Sequence, residues 1–207
     1  MPRQFDQPKL VLATHNAGKL KEIRALLAPL GTEVVSSGEL GLPEPIEDGD
    51  SFAANAALKA KAAVEASGLP ALADDSGIEV FGLDGQPGIV SARWAGPGGD
   101  FQHAMDRVRR ELAERFGSFE QADKRARFVA VLCLAWPDGH LEFAEGEVMG
   151  TLIDPPRGDG GFGYDPMFQP ESRSRTFAEM PASEKRTLSH RARAMDALIA
   201  HSFSTQK

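Results

Sequence analysis

Residues 9–19 read Lys9-Leu10-Val11-Leu12-Ala13-Thr14-His15-Asn16-Ala17-Gly18-Lys19, a strand pattern that passes directly into a helix pattern. The first six residues form a short apolar run that ends in a polar residue, which is typical of a buried strand. Asn16 can cap a helix, and apolar residues then return at helical spacing until Pro29 and Gly31 stop it. A buried strand followed at once by an amphipathic helix predicts an α/β protein.

The composition is that of an ordinary globular chain. It has 207 residues, 42% of them hydrophobic, which favours a single domain over 1–207 rather than two independent folds. One cysteine excludes a disulfide framework and any multi-cysteine zinc site. The polar first residues predict no secretory signal, and no apolar run approaches the roughly 18–20 residues of a membrane span. We therefore expect a cytoplasmic protein with no membrane partner.

The charge balance limits the partners further. Lysine and arginine number 23 and the acids 30, for a formal net charge of -7. A protein that binds duplex nucleic acid usually shows a basic excess or a basic stripe, and the densest basic stretch, 107–127, is interleaved with acids. We expect no nucleic-acid partner. A phosphate ligand would need a local cationic cluster or a divalent metal ion.

The rest of the chain continues the alternation of strands and helices. Strand patterns are predicted over 33–36, 71–73, 78–80, 127–136 and about 140–149. Helices are predicted over 52–66, 101–116 and about 183–201. A loop over 154–166 holds four glycines.

Three acids are the candidates for a metal site. Glu47 lies in a loop, whereas Asp74 and Asp75 lie where a strand ends. Adjacent residues at a strand end point in opposed directions, so one aspartate can face a ligand while the other orients its surroundings. Carboxylates from a loop and a strand end suit Mg²⁺, which binds one or two carboxylates, waters and phosphate oxygens. The alternative is that Asp74-Asp75-Ser76-Gly77 is a plain turn.

Two cationic segments could bind phosphate. The junction Thr14 to Lys19 directs helix N–H groups and the positive end of the helix dipole at one spot, although it lacks the P-loop pattern. The alternative there is an ordinary capped helix start. Phe52, Asn55 and Lys59 share one face of the next helix, which suggests a polar group opposite. The alternative is a solvated stripe.

Two segments near the C-terminus could bind the rest of a nucleotide. Gly158 to Gly163 has the spacing G-x-G-x-x-G, but no strand precedes it and Pro166 prevents a helix, which excludes a dinucleotide fingerprint. The loop still presents aromatic groups that suit stacking on a base, or alternatively core packing. Lys185, His190 and Arg191 could donate to a base edge or to phosphate, or alternatively lie on the surface.

The order of these motifs along the chain is more specific than any one of them. The Thr14–Lys19 segment, the Glu47 loop, Phe52-x-x-Asn55-x-x-x-Lys59 and Ala73-Asp74-Asp75-Ser76-Gly77 are followed by Pro87-Gly88-Ile89-x-Ser91-Ala92-Arg93, Gly161-Phe162-Gly163-Tyr164-Asp165-Pro166 and Ser189-His190-Arg191. Over about residues 9–200 this set resembles the inosine triphosphate pyrophosphatase family, the XTP/dITP diphosphatases. Two positions depart from the family pattern, since His15 and Ala54 stand where glycine and glutamate are frequent.

The resemblance implies an elongated α/β fold of two lobes, with a central mixed sheet flanked by helices and an active-site cleft between the lobes, usually as a homodimer. It implies Mg²⁺-dependent hydrolysis of ITP, dITP and XTP to the monophosphate and pyrophosphate. Asp75 is the implied catalytic base, and the implied metal residues are Glu47, Asp75 and Asp74. The implied substrate-binding residues are Thr14, His15, Asn16, Ala17, Gly18, Lys19, Lys59, Ser76, Phe162, Gly163, Tyr164, Asp165, Lys185, His190 and Arg191.

Two other functions stay open on the sequence. One is a diphosphatase of different base preference, acting on modified pyrimidine nucleotides. The other is a nucleotide-binding regulator without turnover, which would keep the phosphate-binding segment but would not need the acids.

Overall fold

The computed structural model describes residues 2–203, and within them six strands form one mixed sheet. The strands are β1 (Lys9–Leu12), β2 (Glu33–Ser36), β3 (Ala71–Val80), β4 (Arg125–Ala135), β5 (Leu141–Leu152) and β6 (Phe168–Pro170). Their order in the sheet is β2-β1-β3-β4-β5-β6. Strand β1 pairs in parallel with β2 and β3, whereas β5 and β6 are antiparallel. The predicted α/β class and mixed sheet are confirmed.

The helices alternate with these strands. They are α1 (Ala17–Leu27), α2 (Phe52–Ser67), α3 (Ser91–Trp94), α4 (Phe101–Phe116), α5 (Ala182–Leu188) and α6 (His190–Ser202). Three are capped by a side chain that accepts from a first-turn N–H group: Asn16 caps α1, Ser51 caps α2 and Asp100 caps α4. Within the described residues, no helix has both the length and the apolar character needed to cross a membrane.

The chain divides into two compact units, each with its own core. The first unit comprises the residues up to Asp75, Ala130–Gly146 and the residues from His190 onward. The second unit comprises Ser76–Val129 and Glu147–Ser189. Strand β3 changes unit between Asp75 and Ser76, in the middle of the acidic motif.

The first unit packs helices on both faces of its part of the sheet. Alternate strand residues Leu10, Leu12, Leu72, Leu132 and Leu134 share a buried cluster with the apolar residues of α1 and α6. The residues between them, including Val11, Ala71, Ala73 and Cys133, pack against the alanines of α2. Small side chains on both sides let α2 lie close to the sheet, and Lys59 of α2 contacts Asp75 of β3.

The second unit has a larger, aromatic core. Helix α4 buries Ala104, Met105, Val108 and Leu112 against Ile78 and Val80 of β3. Phe128 packs against both Phe168 and Phe177, at ring-centroid distances of 4.6 and 5.9 Å. The helix predicted over 101–116 has these bounds in the structure.

Two sequence-based expectations are wrong. Asp74 and Asp75 do not lie where a strand ends, and Asp74-Asp75-Ser76-Gly77 is not a turn, because the patterns predicted over 71–73 and 78–80 form one continuous strand, β3. The helix predicted over 183–201 is two helices, because Ser189 takes an extended conformation (φ -67, ψ 155) between α5 and α6. That conformation is the one an N-cap residue adopts, and serine is a favoured N-cap. The signal was therefore present at Ser189 but lay inside an apparently continuous pattern.

Candidate active site

Asp74 is the centre of a buried ion-pair network in the first unit. Its side chain lies in β3 and the residue is 1% exposed. Oδ1 is 2.6 Å from Nζ of Lys19, and Oδ2 accepts a hydrogen bond of 2.8 Å from Nε of Arg191. Arg191 in turn contacts the carboxylate of Glu22 on α1 through Nη1. Burial alone would raise the pKa of Asp74, but the charges of Arg191 and Lys19 hold it well below its usual range.

Asp75 belongs to a second network on the side of α2. Lys59 Nζ donates to Asp75 Oδ1 at 2.8 Å and lies 2.6 Å from Glu47 Oε1, so one ammonium group joins both carboxylates. Burial raises the pKa of Asp75, although the charges of Lys59 and Lys19 oppose it. Burial would lower the pKa of Lys59, but Asp75 and Glu47 outweigh it and raise that pKa. Asp75 and Glu47 therefore favour the charged form of Lys59, and Asp74 and Glu22 raise the pKa of Arg191 in the other network.

The two aspartates face opposite sides of the sheet, as predicted. Asp74 contacts residues of α1 and α6, whereas Asp75 contacts Lys59 of α2. Burial lowers the pKa of Lys19, although Asp74 raises it. The period of two along a strand separates the neighbours, so one acid anchors cations from α1 and α6 while the other faces the Glu47 loop.

The segment that precedes α1 is held by local hydrogen bonds. Thr14 Oγ1 accepts from the N–H of Asn16 at 3.1 Å, and Asn16 Oδ1 accepts from the N–H of Lys19 at 3.0 Å. His15 Nε2 donates to the carbonyl of Leu42 at 2.9 Å, which connects this segment to the loop that leads to Glu47. His15, Asn16 and Ala17 are exposed, and Gly18 is half-buried. The capped helix start exists, and its exposure leaves it accessible to a ligand.

A small cavity lies next to this segment. It has a volume of about 80 Å³ and is bordered by His15, Lys59, Leu42, Pro43 and Glu44, together with alanines of α2. The cavity places a cationic side chain and an imidazole beside the loop that carries Glu47. Lys59 is the residue that this cavity shares with the network of Glu47 and Asp75.

The glycine-rich loop of the second unit is organised around Asp165. Its Oδ2 accepts from the N–H of Phe162 at 2.8 Å and from Nζ of Lys185 at 2.6 Å. The Lys185 ammonium also lies 5.1 Å from the centroid of the Phe162 ring. Asp165 and Lys185 are buried, whereas Phe162 and Gly163 are half-buried. Phe162 is therefore partly exposed, with the Lys185 ammonium over its ring.

Tyr164 uses its hydroxyl inside the second unit. The group donates to the carbonyl of Ser91 at 2.9 Å, and burial raises the pKa of the phenol. Ser91 Oγ accepts from the N–H of Ile78 at 2.9 Å and donates to the carbonyl of Gly88 at 2.7 Å. Ser91 therefore links β3, just beyond Ser76, to the loop of Tyr164. The Pro87–Arg93 motif contains Ser91, but nothing in the sequence predicts that its hydroxyl makes this link.

Three basic residues of the last two helices are buried rather than on the surface. Lys185, His190 and Arg191 are all buried, so the alternative of a solvated cluster is wrong for these three residues. The Glu22–Arg191 contact was not predicted, because the two residues are 169 positions apart and no local spacing joins them. Ser76 is half-buried in β3.

No group of three or more histidine, cysteine, aspartate or glutamate side chains arranged to hold a metal ion occurs among residues 2–203. Glu47 and Asp75 are nevertheless brought together through Lys59. Asp75 Oδ2 is buried and has no hydrogen-bond partner within the described part of the chain. Two carboxylates, one with an unused oxygen, are an oxygen donor set that suits Mg²⁺ when phosphate oxygens and waters complete it.

A family model described as the Ham1 family matches residues 10–201. The chain belongs to the Ham1 family. Two curated relatives of this Ham1 chain are each called a dITP/XTP pyrophosphatase. The one from Gluconobacter oxydans is 57% identical over 201 residues, covering 96% of this chain and 94% of its own. The one from Bradyrhizobium diazoefficiens is 59% identical over 193 residues, covering 90% and 91%.

Solved Ham1 structures have the same fold. A HAM1 protein from Coxiella burnetii matches with a TM-score of 0.84 and 35% identity, over 94% of this chain and 98% of that one. The Ham1 protein of Staphylococcus aureus matches with a TM-score of 0.80 and 34% identity, over 93% and 96%. The family resemblance inferred from the order of the motifs is confirmed.

Proposed function

We propose that this protein hydrolyses the non-standard purine nucleotides dITP, XTP and ITP to the nucleoside monophosphate and pyrophosphate. The observation that carries the proposal is the buried pair of networks on adjacent residues of β3. Asp74 is bound by Lys19 and Arg191. Asp75 is bound by Lys59, which also binds Glu47. The dITP/XTP pyrophosphatases from Gluconobacter and Bradyrhizobium, which share more than half of its residues, support the same reaction.

The charge of these networks supports a requirement for a divalent cation. Three cations (Lys19, Lys59 and Arg191) contact four carboxylates (Glu22, Glu47, Asp74 and Asp75), and three positive with four negative formal charges leave -1. A triphosphate is itself strongly anionic, so these side chains alone would not compensate it. Mg²⁺ held by Glu47 and Asp75 would supply positive charge at the phosphate oxygens.

Asp75 is proposed as the general base. It would take a proton from a water molecule whose oxygen bonds to the α-phosphorus. The bond from the α-phosphorus to the oxygen it shares with the β-phosphate breaks, and pyrophosphate leaves with that electron pair. Because burial raises the pKa of Asp75, its carboxylate is a stronger base than an exposed aspartate. Lys59 holds Asp75 and Glu47 in their relative positions.

Asp74 is better suited to positioning than to metal binding. Both of its carboxylate oxygens already contact cations, Oδ1 at Lys19 and Oδ2 at Arg191. A carboxylate engaged in this way fixes the Lys19 ammonium near the start of α1. We therefore assign Asp74 to holding Lys19, which in turn is proposed to bind phosphate.

The remaining assignments stay predictions drawn from the family. Thr14, His15, Asn16, Ala17, Gly18 and Lys59 are proposed for the phosphates, and Ser76, Phe162, Gly163, Tyr164, Asp165, Lys185, His190 and Arg191 for the rest of the nucleotide. The burial of Tyr164 and Arg191 supports a positioning role for these two. A homodimer in the cytoplasm is likewise proposed.

The proposal is tested with purified protein and a panel of nucleotides, with pyrophosphate release measured in the presence and absence of Mg²⁺. We expect dITP, XTP and ITP to be cleaved only with Mg²⁺. ATP should be cleaved about 10- to 100-fold more slowly. Adenine carries a 6-amino group where hypoxanthine and xanthine carry an oxygen, so a protein donor that pairs with that oxygen would have no partner. Faster cleavage of a modified pyrimidine triphosphate would favour a different base preference. Binding without product would favour the regulator.

A further inference from the structure

Asn55 is a polar side chain that packs among the alanines of α2 with 0% exposure. Its Oδ1 accepts a hydrogen bond of 2.9 Å from the N–H of Gly49. Since a backbone N–H can only donate, the amide oxygen must face Gly49, and the NH₂ group points elsewhere. The contact spans six positions and ties α2 to the loop before it.

The contact with Gly49 leaves no space for a side chain there. A Cβ atom on Gly49 would lie 2.6 Å from Asn55 Oδ1 and 2.9 Å from Cβ of Ala54. Glycine at this position therefore allows the loop backbone to approach the amide closely. Glu47 lies only two residues before it, so the position of Gly49 constrains the position of that carboxylate.

Asn55 and Lys59 act on the same loop from the same face of α2. They are four residues apart, so their side chains lie one above the other on the helix. Lys59 Nζ holds the side chain of Glu47, and Asn55 holds the backbone two residues further on. Helix α2 thus holds the Glu47 segment at two points, one through charge and one through a neutral hydrogen bond.

The cluster formed by Glu47, Asn55, Lys59 and Asp75 contains two buried polar atoms that have no hydrogen-bond partner within residues 2–203. They are Asn55 Nδ2, which is a donor, and Asp75 Oδ2, which is an acceptor. Buried polar groups are nearly always paired, and leaving one unpaired destabilises a protein. Lys59, on the same helix face as Asn55, connects Asp75 to this region. A ligand that brings oxygen atoms to the cluster would give the amide donor a partner.

We propose that Asn55 positions Glu47 through Gly49 and that its Nδ2 donates a hydrogen bond to a phosphate oxygen of the bound substrate. The proposal rests on the proposed function for the identity of that ligand. The neutral amide adds a directed donor beside the charged groups of Lys59, Glu47 and Asp75. An amide also adds no charge to a cluster in which cations and carboxylates are already nearly balanced.

The test compares Asn55→Ala with Gly49→Ala and with the control Lys61→Ala, which changes an exposed residue of the same helix. Binding of inorganic pyrophosphate is measured by calorimetry with and without Mg²⁺, kcat and KM are measured for dITP, and thermal unfolding reports folding. Asn55→Ser replaces Asn55→Ala if the latter does not fold. Gly49→Ala disturbs the loop contact but keeps the amide donor.

We expect Gly49→Ala to lower kcat for dITP, and Asn55→Ala to weaken pyrophosphate binding by about 10- to 100-fold more than Gly49→Ala does. Equal pyrophosphate affinity in the two variants would overturn the phosphate contact. Wild-type kcat in Gly49→Ala would overturn the positioning role. Failure of the proposed function can be distinguished from failure of this proposal, because wild-type protein would then release no pyrophosphate from dITP. The binding comparison would still decide the role of Asn55.

Discussion

Arg191 Nε donates to Asp74 Oδ2 at 2.8 Å, and this bond connects the first turn of α6 to β3 across 117 positions of the chain. Both residues are almost fully buried. A buried pair of this kind stabilises the fold only while both partners are present, because each would otherwise be an unpaired charge in the core. Asp74 also contacts Lys19, so the same bond that joins the two elements also helps to hold a proposed phosphate-binding cation.

Removing Arg191 should therefore destabilise the protein strongly. We expect Arg191→Met to lower the free energy of unfolding by about 3–5 kcal/mol, since Asp74 and Glu22 lose a shared partner in a buried site. Urea unfolding followed by circular dichroism measures the change. Arg193→Met is the matched control on the exposed side of α6, and an equal loss in both variants would contradict the special role of Arg191.

Asp75→Asn should abolish pyrophosphate release while leaving the fold intact. The amide cannot take a proton from water, but it keeps the size of the side chain and can still accept from Lys59. Initial rates with dITP at saturating Mg²⁺ measure the effect. Asp48→Asn changes an exposed acid next to Glu47 and should retain activity; near-normal turnover in Asp75→Asn would remove Asp75 from its proposed role.

Ser91→Ala and Tyr164→Phe should differ in their effect on stability. Ser91→Ala leaves the buried N–H of Ile78 and the carbonyl of Gly88 without their side-chain partner, for a loss of about 1–3 kcal/mol. Tyr164→Phe removes one hydroxyl donor and should cost about 1 kcal/mol. Urea unfolding of both variants, with the exposed Ser174→Ala as control, checks the order, and a larger loss in Tyr164→Phe would contradict it.

Cys133, the chain's one cysteine, should be unreactive in the folded protein. Burial raises the pKa of its thiol to about 12, so little thiolate forms at moderate pH. Because this folded pKa lies above the unfolded value of about 8.5, the associated stability is complete below that pH and declines as the pH rises towards 12. Iodoacetamide at pH 8 should label the protein only in urea, and rapid labelling of native protein would show that the thiol is accessible.

The sequence predicted the regular elements well where the pattern was strong. The helix over 101–116 and the strand over 33–36 have their predicted bounds. In the helix, the amphipathic pattern of apolar residues marked its extent. Asp74-Asp75-Ser76-Gly77 was ambiguous, since these residue types favour turns and only pairing with neighbouring strands keeps them extended. The break at Ser189 was missed because one extended residue hardly changes an apolar pattern that spans both helices.

The family and the identity of the candidate residues follow from the sequence alone, because they depend on which residue types occur in which order. The partners of those residues do not. Glu22 and Arg191 lie 169 positions apart, and Lys59 reaches both a loop and a strand. Tertiary packing decided these pairings, because a charge that is buried by distant apolar segments must find its counter-charge wherever the fold brings one close.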